Sequence, residues 1–68
     1  MKYQKLNPGE TQVFDDSGSL VGSIKRETPP PGVPAPWVYR FWPAGITSIT
    51  QASSAFPSMD LIKAKLPF

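Results

Sequence analysis

The chain has 68 residues, with seven lysines and arginines against five acidic residues, nine prolines, and neither cysteine nor histidine. That length leaves no room for a second domain, and the two missing residue types exclude disulfides, zinc fingers, iron–sulfur ligation, thiolate nucleophiles and imidazole bases together. Hydrophobic residues make up 40% of the sequence and the formal net charge is only +2, so the chain is expected to fold around a thin core and to be soluble.

The first predicted strand runs from Lys2 to Leu6. Asn7-Pro8-Gly9 then reads as a turn, with Pro8 pre-setting φ and Gly9 free to take a positive φ. A second strand is expected from about Thr11 to Phe14. Asp15-Asp16-Ser17-Gly18 is the clearest hairpin signal, because Gly18 can supply the left-handed residue that such turns require. The third strand, Ser19 to Arg26, carries Leu20, Val21 and Ile24, which suit a pleated surface.

Five of the nine residues from Thr28 to Pro36 are proline. Proline lacks a ladder donor, so this segment is expected to be a stiff loop joining strands three and four. It could instead serve as a ligand for a proline-recognition domain, but no arginine or lysine flanks a clean P-x-x-P core in the usual way. Trp37 to Trp42 is a strong fourth strand ended by Pro43 and Gly45, and Ile46 to Thr50 a candidate short strand. A C-terminal helix is expected over about 57–66. Pro57 or Ser58 suits its start, Asp60 and Lys63 with Lys65 sit correctly for the macrodipole, and Met59, Ile62 and Leu66 share one face. So short a helix must dock on the sheet to persist. The expected fold is α+β: a three- or four-stranded antiparallel meander with one helix packed on one face.

Two strand registers compete. One gathers Leu20 and Ile24 with Trp37, Tyr39 and Phe41 beneath the helix, leaving Ser23, Lys25, Arg40 and Trp42 outside. The other sets Lys25 beside an exposed aromatic row, a platform of the kind that binds single-stranded nucleic acid. The first is preferred, because a small chain gains most by burying its largest rings.

Nothing in the sequence supports catalysis. Ser17, Ser53, Ser54 and Ser58 have no activating partner in sequence, the glycines are too widely spaced for a phosphate loop, and the acids lack calcium-loop spacing. No cofactor and no metal are expected. Binding is the remaining class, with Lys25, Arg26, Arg40 and Trp42 as candidate residues. They would offer cations for phosphate and an aromatic ring for stacking on a basic outer sheet face, with Lys63 and Lys65 on the helix as further cations. The apolar corner Trp42-Pro43-Ala44-Gly45-Ile46 and the proline loop favour a protein partner, and a free sheet edge allows self-association. A protein partner is preferred over nucleic acid, and neither a membrane nor a small-molecule substrate is expected. The N-terminus has no apolar signal region and no stretch approaches a membrane span, which fits a cytoplasmic protein.

The layout Asp15-Asp16-Ser17-Gly18-x-Leu20-Val21-Gly22-x-Ile24, followed by an aromatic strand and a Phe56-Pro57-Ser58 helix start, resembles small phage or prophage accessory proteins. The resemblance rests on turn and core residues, and in a viral context it implies an inhibitor or regulator of a host factor.

Overall fold

The computed structural model describes residues 1–66. Four strands, β1 (Lys2–Asn7), β2 (Glu10–Phe14), β3 (Leu20–Glu27) and β4 (Val38–Pro43), form one antiparallel sheet in the order β1-β2-β3-β4. A single 3-10 turn at Ile49–Gln51 follows, so the candidate short strand over 46–50 does not form, and then one helix, α1 (Met59–Lys65). The α+β meander with a C-terminal helix is therefore the fold.

Each connection has a local cause. Asp15 organises the β2–β3 turn: its Oδ1 accepts from the Ser17 N–H (3.0 Å), the Ser17 hydroxyl (2.6 Å) and the Ser19 N–H (2.9 Å). Gly18 completes the turn at φ 90°, a conformation that costs a side-chain-bearing residue steric strain. The β1–β2 turn works differently from expectation. Gly9 is not left-handed; the Asn7 side chain accepts the Gly9 N–H at 2.9 Å, an Asx turn that needs no special φ. In the proline loop, Pro31 and Gly32 (φ 90°) form a turn closed by Val33 N–H to Pro30 O at 3.2 Å.

The β3–β4 register pairs Ile24 with Phe41, Arg26 with Tyr39, Lys25 with Arg40 and Ser23 with Trp42. Residues directly opposite share a face, so Ile24, Arg26, Tyr39 and Phe41 lie on one side. The core is Val13, Ile24, Phe41 and Ile62, with Val21, Tyr39, Phe56, Met59 and Leu66 packed against it. Ser58 caps α1, its Oγ accepting the Leu61 N–H at 3.3 Å. The helix docks through Met59, Ile62 and Leu66, while Leu61 stays exposed. Gly22 is buried because the Phe41 ring occupies the space its side chain would need; an added methyl would overlap that ring and the Trp42 carbonyl oxygen.

Two residues expected under the helix are not there. Trp37 lies before β4 and is 38% exposed. The β3–β4 ladder ends at Glu27 opposite Val38, so Trp37 lies past the last pair and stacks under the Arg26 guanidinium, while Tyr39 and Phe41 pack in or against the core. Leu20 is 44% exposed for a different reason. The β2–β3 register shifts between Val13, opposite Gly22, and Phe14, opposite Leu20. This bulge takes up Val21 as an extra residue, and Val21 packs on the core instead.

The two sheet edges differ. Beyond β4, Tyr39 and Phe56 exchange N–H···O bonds of 2.8 and 2.7 Å, Ser53 N–H donates to Phe41 O at 2.9 Å, and the Ser53 hydroxyl accepts the Phe41 N–H at 2.9 Å. The segment 53–56 thus closes that edge. Every residue of β1, at the other edge, is exposed.

Candidate functional site

The register divides the candidate binding residues between two faces. Lys25, Arg40 and Trp42 share the outer face. Arg26 does not belong with them: it stands opposite Tyr39 on the helix side, and its guanidinium lies 3.9 Å over the exposed Trp37 ring. Strand alternation is the cause, since Lys25 and Arg26 are neighbours in one strand and point to opposite sides.

On the outer face the cations are largely engaged. Arg40 Nε donates to Glu27 Oε2 at 3.2 Å and its NH2 group to Oε1 at 3.5 Å, while its NH1 group donates to Ser53 O at 2.8 Å. The pair is partly shielded, with 18% of the Arg40 side chain accessible and 32% of Glu27. Arg40 therefore ties β3, β4 and the edge-closing segment together, and its fork is already occupied. Lys25 lies 5.3 Å over the Trp42 ring, and Trp42 is itself half-buried. Trp42 Nε1 is buried with no hydrogen-bond partner among the described residues. The apolar corner is less open than its composition suggests: Pro43 and Ile46 are also half-buried, held by Ile46 N–H to Pro43 O (3.0 Å) and Ala44 N–H to Val21 O (3.0 Å). Nearer the proline loop, Pro30, Val33, Pro34 and Ala35 line an apolar hollow of about 450 Å³ with Val38, Ala55 and Pro57.

The helix side holds a feature that the sequence reading missed. A half-open cleft of about 320 Å³ lies between the β1–β3 surface and α1. Tyr3 and Lys5 contribute from β1, Thr11 from β2, Ile24 and Arg26 from β3, Tyr39 from β4, and Met59 and Lys63 from α1, with the Pro8-Gly9-Glu10 turn at the rim. Three of the seven cations line this cleft beside one acidic residue, and the remaining four cations are balanced by four carboxylates elsewhere. The formal charge of the whole chain is thus the charge of the cleft. None of Lys5, Arg26 and Lys63 makes an ion pair among the described residues. Lys63 Nζ sits 4.5 Å over the Tyr3 ring. Only the tertiary fold brings these residues together. No spacing in the sequence links positions 5, 26 and 63.

The serines are occupied structurally: Ser17 bonds Asp15, Ser53 bonds the Phe41 backbone and the Ser54 carbonyl, and Ser58 caps α1. The Asp15 carboxyl has a displaced titration. The Ser17 hydroxyl, then the Ser19 N–H and the other turn amides, hold its carboxyl below the 3.8 of an ordinary aspartate, against a small opposing effect of burial. Among the described residues, no group of three or more acidic side chains is placed to hold a metal ion, and no helix is long and apolar enough to cross a membrane. No family model, curated protein or solved structure matches the chain.

Proposed function

We propose that the protein is a non-catalytic binding module that engages a protein partner by accepting an extended segment along β1. The observation that carries this reading is the asymmetry of the sheet: segment 53–56 closes the β4 edge, while β1 is exposed over all six residues. An open edge presents backbone donors and acceptors in the pattern that a further strand completes. Large apolar residues concentrate there as well. Met1, Tyr3 and Leu6 are 41%, 38% and 49% exposed, three of the eight exposed large apolar residues among the described residues.

Charge supports a partner over a second copy. Lys2 and Lys5 both lie on β1, and like charges across a paired edge oppose self-association. An acidic segment would meet them, with Lys63 close by across the Tyr3 ring. The competing nucleic-acid reading, through the outer face, is weakened by the engagement of Arg40 with Glu27 and Ser53.

The test is affinity capture from extracts of the source cells with and without nuclease, followed by amide exchange on the purified complex. Capture that survives nuclease, with new protection in β1 and none in 53–56, is the expected result. Capture abolished by nuclease, or protection confined to Lys25, Arg40 and Trp42, overturns the reading in favour of the outer face.

A further inference from the structure

We infer that the cleft between β1–β3 and α1 is a binding site for a phosphate monoester of a molecule that also bears a planar ring. This goes beyond the strand-addition reading and does not depend on it. Three cationic side chains reach the cleft from three different elements: Lys5 from β1, Arg26 from β3 and Lys63 from α1. Cations held by separate elements stand around a volume, whereas a run of charge along one strand or helix turn lines up. None of the three makes an ion pair among the described residues; Arg26 stacks on Trp37 and Lys63 on Tyr3, contacts that use the cation's face and leave its N–H donors for a ligand.

The charge of the ligand follows from the charge of the site. Three cations with one acidic residue at the rim leave an excess that a dianion balances and a single carboxylate does not. A phosphate monoester carries about −1.5 to −2 charges at neutral pH and three acceptor oxygens. Those oxygens suit one guanidinium and two ammonium groups, of which the first can bind two oxygens at once. The ring follows from the walls. Tyr3 and Tyr39 line the cleft with Ile24 and Met59, so an aromatic group on the phosphate-bearing molecule would have apolar and aromatic surfaces to rest on. At about 320 Å³ the half-open cleft has room for a group of that size.

A nucleoside monophosphate and a phosphotyrosine side chain share this chemistry. The test titrates isotope-labelled protein with adenosine monophosphate and with O-phosphotyrosine, using adenosine and tyrosine as dephosphorylated controls. Saturable shift changes centred on Tyr3, Lys5, Arg26, Tyr39 and Lys63 are expected for the phosphorylated probes alone. The probe that saturates at lower concentration identifies the source. Lys5→Gln and Lys63→Gln should each weaken binding by about fivefold or more, while Lys25→Gln, on the outer face, should leave it unchanged. Circular dichroism would establish that all three variants are folded. Equal shifts from adenosine or tyrosine, an equal loss with Lys25→Gln, or changes centred on Trp42 would each overturn the assignment. The probes are too small to pair with β1, so failure here leaves strand addition standing.

Discussion

The two edges of the sheet meet the same physical problem in opposite ways. Both end in a row of backbone groups that a neighbouring strand would satisfy. At β4 the chain supplies that neighbour itself: residues 53–56 bond Tyr39 and Phe41, and Arg40 fastens the arrangement by donating to Ser53 O while holding Glu27. At β1 no described residue pairs with the outer row, and no residue of the strand is buried. Stability and openness are thus separated in space, with the hydrophobic core placed toward the closed side. Its members come from β2, β3, β4 and α1, and β1 contributes none. A thin core can tolerate an open edge if that edge lies outside it.

The largest effect should come from breaking the closed side at its centre. Ile62 is fully buried and is the one buried residue of α1. Ile62→Ala should cost about 3–4 kcal/mol, close to the whole stability expected of so small a domain. Chemical denaturation should show the folded baseline lost or the midpoint near zero denaturant.

Loosening the edge closure alone should do less. Ser53→Ala removes the hydroxyl that accepts the Phe41 N–H and is expected to cost about 1–2 kcal/mol, with amide exchange accelerating at Tyr39 and Phe41 before it does in β2. Uniform acceleration across the sheet would mean that the closure is not a separate element.

At the open edge, Leu6→Ser should change stability by less than about 0.5 kcal/mol, because the side chain is exposed and outside the core. If β1 receives a partner strand, the same substitution should reduce capture of that partner. A large stability loss would show that β1 belongs to the core and would remove the contrast between the edges.

The smallest effect sits in the turn that joins the two halves. The Asp15 carboxyl titrates below its ordinary value when folded, so its contribution is present above pH about 4 and is lost as the pH falls through the lower folded value. An NMR titration should place its midpoint below 3.8 and show the Ser17 and Ser19 amides moving with it, with little change in global stability.

Much of the architecture was legible in the sequence because it is written locally. Asp15 to Gly18 specifies a turn, alternation in 20–26 and 38–42 specifies strands, and Ser58 with Met59, Ile62 and Leu66 specifies a docked helix. Ile24 beside Phe41 followed from pairing the bulkiest apolar groups. What escaped depended on the third dimension. The bulge at Val13/Phe14 that turns Leu20 outward sits beside Gly22, whose place in a strand did not by itself announce it, and Trp37, just outside β4, stacks with Arg26. The edge closure by Ser53 to Phe56 came from a weakly patterned stretch that could be read as loop. The cleft was invisible for the same reason: Lys5, Arg26 and Lys63 are remote in sequence and carry no motif.

The closure of β4 also bears on how the protein is made. During synthesis the four strands emerge first, while residues 53–66, which supply both the edge cover and Ile62, follow. Until they leave the ribosome, Phe41 and Ile24 lack their helix, and the hydrogen-bonding row of β4 stays open beside the row of β1. A chain without that segment would carry two open edges and an uncovered apolar face, the kind of surface that aggregates or recruits chaperones. Any truncation that removes residues 53–66 would hold the chain at that stage.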